Sequence, residues 1–205
     1  MPYLFDGPET APLTLALAHG AGAPMDTPFM DTVASSLGER GWRVARFEFP
    51  YMVRRREDGG KRPPDRQPVL LDTWRAVIAE LGSERLVIGG KSMGGRMASL
   101  VADEAGVAGL VCLGYPFHPP GKPEHTRIDH LGALAAPTLI VQGTRDPFGK
   151  PEEVAGYPLS PAIRVHWTED GDHDLAPRKR SGRTPEQNMA EAVDAVDAFL
   201  RARLA

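Results

Sequence analysis

Short apolar runs alternate along the chain with longer amphipathic segments, and this alternation restricts the fold more than any other feature. Six runs have the length and composition of β-strands: residues 13–19, 42–49, 85–90, 109–115, 137–143 and 163–169. Several are apolar almost throughout, as expected for parallel strands covered on both faces. The pattern predicts an α/β protein with a mostly parallel sheet of about six strands and helices on both faces.

The predicted helices have recognisable ends. Thr27 and Pro28 are typical of an N-cap followed by proline at the first helical position. An amphipathic helix over residues 68–82 stops at a glycine, and another is expected from about Met93 to Ala105. The last helix begins with a capping box over residues 184–187, in which threonine and glutamine satisfy each other's backbone amides.

Composition limits the classes of protein to consider. A length of 205 residues predicts one domain over residues 1–205, and 41% hydrophobic with 25% charged residues is ordinary for a globular protein. The net charge of −3 disfavours a dedicated nucleic-acid binder. No apolar run is long enough to span a membrane, the N-terminus lacks the features of a signal peptide, and Cys112 is the sole cysteine. We therefore expect a cytoplasmic protein with a small-molecule substrate and no membrane or nucleic-acid partner.

The segment "GGKSMGGR" has two interpretations. Lys91-Ser92 resembles the end of a phosphate-binding loop, but that motif requires a glycine at position 85, where the chain has Arg85. Residues 90–94 also form G-x-S-x-G, the turn that presents a nucleophilic serine between a strand and a helix. A strand precedes this turn and a helix follows it, so the sequence favours Ser92 as a nucleophile.

A serine nucleophile needs a base, and the base needs an orienting acid. Asp146 follows the fifth predicted strand and His173 follows the sixth, in the order serine, acid, histidine. Asp129 and Asp170 remain rivals of Asp146 for the acid role. In "DGDHD", residues 170–174, the spacing does not fit a calcium loop, so we expect neither a metal nor a cofactor.

Two backbone amides should stabilise the oxyanion that forms when a serine attacks a carbonyl. The residue after the nucleophile, Met93, is expected to supply one of them. The second should come from the loop "HGAGA" after the first predicted strand, with Ala21 as the first candidate and Gly22 as the next.

Several segments together resemble the small single-domain bacterial α/β-hydrolases, near the dienelactone-hydrolase-like group: "LAHGAGAPMD", "GGKSMGGR", "LGYPFHPPGKPE", "PTLIVQGTRDPFG" and "EDGDHDL". They also resemble a branch shared with the hydrolase-like domain of a chromatin regulatory subunit. The resemblance implies an α/β-hydrolase fold, and the chain has no insert long enough for a separate lid. Dienelactone enzymes use a cysteine nucleophile where this chain has Ser92, so their substrate is not carried over.

The resulting hypothesis is a serine hydrolase that cleaves a small ester, thioester or related acyl compound. Lys91 and His118 are candidate substrate contacts. The basic segments 54–66, expected to be a loop, and 178–183 suggest an anionic substrate, although charge runs are usually solvated surface. The alternative hypothesis is a non-catalytic protein-interaction module with this fold, since a fold alone does not determine a function.

Overall fold

A computed structural model describes residues 2–204, so the two ends of the predicted domain, Met1 and Ala205, lie outside the described residues. Seven strands form one sheet: β1 (Tyr3–Asp6), β2 (Thr14–Ala18), β3 (Arg43–Phe47), β4 (Leu86–Lys91), β5 (Gly109–Leu113), β6 (Thr138–Gly143) and β7 (Ile163–Thr168). The helices are α1 (Pro28–Glu39), α2 (Pro50–Asp58), α3 (Gln67–Leu81), α4 (Met93–Ser99), α5 (Ala102–Ala105), α6 (Pro151–Val154) and α7 (Pro185–Arg201), with a 3₁₀ turn at Lys179–Ser181.

All six predicted strands are present, and they pair in parallel in the order β3-β2-β4-β5-β6-β7. The expected count of about six misses β1, which pairs antiparallel with β3 at the edge of the sheet. This strand, YLFD, has four residues, none of them fully buried, and its apolar run is shorter than those that mark the other strands. The carboxyl ends of the parallel strands all lie at one edge of the sheet, where ligands bind in open α/β folds.

Helices cover both faces of the sheet, as predicted. One face packs against α1 and α7, through residues such as Val33 and Val196. The other packs against α3 and α4, where Trp74 and Met97 are buried. Within residues 2–204 no connection forms a separate lid, and no helix is both long and apolar enough to cross a membrane.

Two local predictions were wrong. The segment 54–66 is not a loop throughout, because α2 extends to Asp58 before Gly59 ends it in a left-handed conformation. Pro50 at the start of α2 and Gly59 after it are the usual punctuation of a helix, but the charged run hides its short apolar start. The helix expected over residues 93–105 is divided at Leu100 and Val101 into α4 and α5.

Candidate active site

Ser92 occupies a strained turn between β4 and α4. Its backbone has a φ of 50° and a ψ of −114°, a conformation that residues other than glycine rarely adopt. The amide of Ser92 donates to the Leu113 carbonyl at 3.0 Å, and its carbonyl accepts from the Arg96 amide at 3.0 Å. The turn is thus tied to β5 on one side and to the first turn of α4 on the other.

Glycines are required on both sides of Ser92 because the turn lies against β2. A Cβ atom added to Gly90, whose φ is +156°, would lie 2.2 Å from the Ala18 carbonyl oxygen. A Cβ atom added to Gly94 would lie 2.5 Å from the same oxygen and 2.6 Å from the His19 carbonyl oxygen. Both glycines of the motif therefore allow a close backbone approach.

Asp146 and His173 meet at the carboxyl ends of β6 and β7. The Nδ1 atom of His173 lies 2.8 Å from Oδ2 of Asp146, whose side chain is fully buried. A carboxylate only accepts hydrogen bonds, so Nδ1 carries the proton and Nε2 is left to accept one. The other carboxylate oxygen, Oδ1, accepts from the Phe148 amide at 2.9 Å. The ring of Phe148 lies 4.3 Å from the His173 ring, between centroids, and limits its movement.

Ser92 and His173 line the same cleft, which has a volume of about 760 Å³. The cleft lies between the loop after β2, the first turn of α1 and the first turn of α7. Its apolar lining includes Phe29, Met30, Phe148 and Met189. The structure thus brings the three residues predicted as a triad to one edge of the sheet, two of them facing the same cleft and the third bonded to His173.

The loop after β2 lies beside Ser92. A Cβ atom added to Gly20 would be 3.8 Å from Cβ of Ser92. Buried His19 braces this loop: its Nδ1 donates to the Gly20 carbonyl at 2.7 Å, and its Nε2 accepts from the Phe49 amide at 3.1 Å. These bonds require a neutral ring, which agrees with burial lowering the pKa of His19.

Lys91 is buried in the cleft wall, and its ammonium group is already engaged. Nζ donates to the His173 carbonyl at 2.5 Å and lies 3.2 Å from Oδ1 of Asp174. The Phe29 ring lies 5.3 Å from Nζ. Burial lowers the pKa of Lys91, and the Asp174 carboxylate opposes that shift. The contacts join the end of β4 directly to the loop that carries His173.

His118 does not line the cleft, so the structure does not bring it together with Ser92 and His173, and its contact with substrate stays a prediction. Its side chain is buried, with Nδ1 2.9 Å from the Pro119 carbonyl oxygen and Nε2 3.3 Å from Oε2 of Glu153. The sequence could not reveal this, because the loop after β5 folds back onto α6. Both polar atoms of the ring are used within the protein.

The rivals of Asp146 have other surroundings. The Asp170 carboxylate binds the Arg178 side chain and accepts from the Arg178 amide at 2.7 Å, and this interaction lowers the pKa of Asp170 to about 2. Asp129 is exposed in the loop after β5. Within residues 2–204 no group of histidine, cysteine and carboxylate side chains is arranged to hold a metal ion.

A model of a known family matches residues 11–201, nearly the whole chain, and its description is α/β hydrolase domain. The chain belongs to the α/β-hydrolase family. The match does not resolve a subgroup within that family, so the likeness to the dienelactone enzymes and to the chromatin subunit stays a prediction.

Solved structures similar to this α/β hydrolase share its fold at low sequence identity. A serine hydrolase without a lid from Xanthomonas campestris is 20% identical with a TM-score of 0.70, over 96% of this chain and 88% of the other. Est1E from Butyrivibrio proteoclasticus is 14% identical with a TM-score of 0.71, over 98% and 93%. An esterase domain from Rhodothermus marinus is 18% identical with a TM-score of 0.67, over 97% and 91%.

Two residues of this α/β hydrolase support the site without any signal in the sequence. Buried Gln142 donates from Nε2 to Oδ2 of Asp146 at 3.0 Å and accepts from the Tyr115 amide at 2.7 Å. Tyr51 donates from its hydroxyl to the Ala21 carbonyl at 2.9 Å. Gln142 lies inside a predicted strand, and Tyr51 lies between the predicted strand 42–49 and the predicted loop 54–66, so neither contact could be read from local pattern.

Proposed function

We propose that this α/β hydrolase is a serine hydrolase of small esters, thioesters or related acyl compounds, with Ser92, His173 and Asp146 as its catalytic triad. The observation that carries the proposal is the bond between buried Asp146 and His173 beside a strained, cleft-facing Ser92. The esterase and serine hydrolase among the similar structures are consistent with this class of reaction.

In the proposed reaction, Oγ of Ser92 attacks the substrate carbonyl while Nε2 of His173 accepts the hydroxyl proton. Asp146 keeps the proton of the neutral ring on Nδ1 and stabilises the positive charge of the imidazolium that forms. The same proton passes from Nε2 to the leaving group, and an acyl ester remains on Ser92. Water then attacks this ester with His173 again acting as the base.

We assign the oxyanion hole to the amides of Met93 and Ala21, with Gly22 as the reserve candidate. Met93 is the first residue of α4, and an amide in that position has no partner within the helix. The Gly20 carbonyl accepts from His19, so in a planar trans peptide the Ala21 amide points the opposite way, away from His19. Each such donor contributes on the order of 10²–10³ in rate.

Lys91 acts in this proposal as a positioning residue rather than as a substrate contact. Its ammonium group holds the backbone of His173 and the side chain of Asp174. It therefore fixes the loop that carries His173 relative to β4, the strand that precedes Ser92. A base displaced by about 1 Å can lower a rate by about 10².

The cleft favours an uncharged, apolar acyl or aryl group in the substrate. Phe29, Met30 and Met189 line it, and the acidic side chains in its wall are Asp174 and Glu186. A substrate anion in this cleft would meet those carboxylates. The idea of an anionic substrate steered by the basic segments stays a prediction, because Arg54 and Arg56 pair with Asp65 and Glu48.

The test is a series of neutral p-nitrophenyl esters assayed with the purified protein. We expect measurable hydrolysis, a fall in kcat of about 10⁴–10⁶-fold for Ser92→Ala, and no change for the exposed serine variant Ser35→Ala. Hydrolysis that survives in Ser92→Ala would overturn the assignment. A protein inactive on every ester, thioester and amide tried would instead favour the interaction-module alternative.

A further inference from the structure

Arg96 and Arg127 differ from every other half-buried arginine among the described residues. Neither side chain takes part in an ion pair, a side-chain hydrogen bond or a ring contact in residues 2–204, and Nε of Arg96 is buried without an acceptor. The other half-buried arginines each have such a partner, and they are Arg40, Arg43, Arg55, Arg145, Arg183 and Arg203.

The two unpaired arginines belong to elements that meet beside the turn of Ser92, and neither lines the cleft. Arg96 is in the first turn of α4, and its amide is bonded to the Ser92 carbonyl. Arg127 lies in the loop after β5, where its carbonyl accepts from the Tyr115 hydroxyl at 3.0 Å. The same loop carries His130, which is joined to α4 through Oγ of Ser99 at 2.8 Å.

The charge of Arg96 acts on both Arg127 and His130. Burial and the Arg96 charge both lower the pKa of Arg127, and the same two causes lower the pKa of His130. Asp129 and Asp103 act on His130, but neither forms an ion pair with the two arginines within residues 2–204: Asp129 is exposed, and Asp103 accepts from the Ala135 and Ala136 amides. Two like charges held together and partly desolvated raise the free energy of the empty site, and an anion would remove that cost.

We propose that Arg96 and Arg127 form a binding site for a small oxyanion, a carboxylate or phosphate group, beside the nucleophile turn. Guanidinium groups bind these anions through paired, charge-assisted hydrogen bonds, which ammonium groups do not reproduce. The site does not depend on Ser92 being a nucleophile. The oxyanion has two sources, a free anion or an anionic group of the substrate that extends past Ser92, and the experiment separates them.

His130 reports on occupancy of the site. Oγ of Ser99 donates its one proton to the Arg96 carbonyl at 2.7 Å, so Nε2 of His130 must donate to Ser99. Protonation of His130 therefore takes place at Nδ1. An anion near Arg96 offsets the positive charge that now disfavours the imidazolium, so binding should raise the pKa of His130.

The first experiment titrates the whole protein with inorganic phosphate at constant ionic strength. We expect saturable binding by calorimetry and a rise in Tm, with affinity reduced at least about tenfold in both Arg96→Met and Arg127→Met. Exposed Arg85, at the opposite edge of the sheet, supplies the control Arg85→Met, which should bind like the wild type. Methionine keeps the apolar stem of the side chain, and Arg127→Met tests the site even if Arg96→Met folds poorly.

The second measurement follows the His130 ring by NMR during a pH titration with and without phosphate. The pKa should rise with phosphate in the wild type and stay unchanged in Arg127→Met. Binding that is absent, not saturable, or equal in the wild type and both variants would overturn the site.

A final arm identifies the source of the anion. The rate of Ser92 labelling by a neutral fluorophosphonate is measured with saturating phosphate. Slower labelling in the wild type, but not in Arg127→Met, supports a subsite for an anionic part of the substrate. Unchanged labelling supports a separate anion bound on the same arginines.

Discussion

The turn that carries Ser92 and the loop that carries His173 are held in place by different means. Backbone atoms hold the turn: a positive φ, two glycines against β2, and hydrogen bonds to Leu113 and Arg96. Side chains from other elements hold the loop, through Asp146 from the end of β6 and Lys91 from the end of β4. Substitution should therefore damage the turn through steric clash and the loop through lost charge and hydrogen bonding.

Among substitutions in the residues that support the turn and the loop, the largest effect is expected from Asp146→Asn, which weakens the hold on His173 without removing volume. The amide can present a donor to Nδ1 and favour the wrong tautomer, so kcat should fall by about 10⁴-fold in ester hydrolysis assays. Asp129→Asn is the matched control, because Asp129 is the exposed rival for the acid role. Loss of activity in the control with little change in Asp146→Asn would reverse the assignment.

Lys91→Met should have the next largest effect and separates positioning from substrate binding. Methionine fills the space beside Phe29 but cannot bind the His173 carbonyl, so kcat should fall by up to about 10² with KM within about twofold for a neutral ester. Steady-state kinetics of this variant beside Lys122→Met, an exposed lysine, make the measurement. A rise in KM with unchanged kcat would instead make Lys91 a substrate contact.

Gly94→Ala tests the turn by steric clash. The added methyl would meet two carbonyl oxygens at 2.6 Å or less, so the free energy of unfolding should fall by about 1–3 kcal/mol. Gly22→Ala is the control for stability, since an added Cβ atom there meets nothing within 4 Å. Equal stability of the two variants in urea would show that β2 does not confine the turn.

The smallest effect concerns the pH dependence of stability and the loop that carries His173. Asp170 has a pKa of about 2 in the folded protein against 3.8 for the free side chain, because Arg178 favours its charged form. The pKa is lowered by folding, so this interaction stabilises the protein above about pH 3.8, and the stabilisation is lost as the pH falls towards 2. Urea unfolding of Asp170→Asn should therefore depend less on pH in that window than unfolding of the wild type.

Wild type and Asp129→Asn should lose stability in parallel over the same acid range. If the stability of Asp170→Asn also follows that of the wild type at every pH, the bond between Asp170 and Arg178 does not hold the loop that carries His173 in solution.

Local pattern predicted much of the fold and the places of the candidate triad. Ser92, Asp146 and His173 each follow a predicted strand, so the parallel sheet alone brings them to one edge. The edge strand β1 and the start of α2 were missed because their apolar runs are too short to stand out.

Local pattern does not reveal contacts between residues far apart in the chain. His118 is buried against Glu153, and Lys91 is engaged with His173. Gln142 supports Asp146 from inside a strand, and Tyr51 braces the loop after β2 from α2. Such contacts are set by tertiary packing, which periodicity and motif spacing do not encode.

The central claim, that Ser92 is a nucleophile activated by His173, is tested most directly by mapping a fluorophosphonate adduct. The protein is treated with the reagent, digested, and its peptides are identified by mass spectrometry. The account predicts one adduct, on Ser92, that forms in the wild type and is lost in His173→Ala although the serine is still present. An adduct on another residue, or equal labelling of Ser92 without His173, would contradict it.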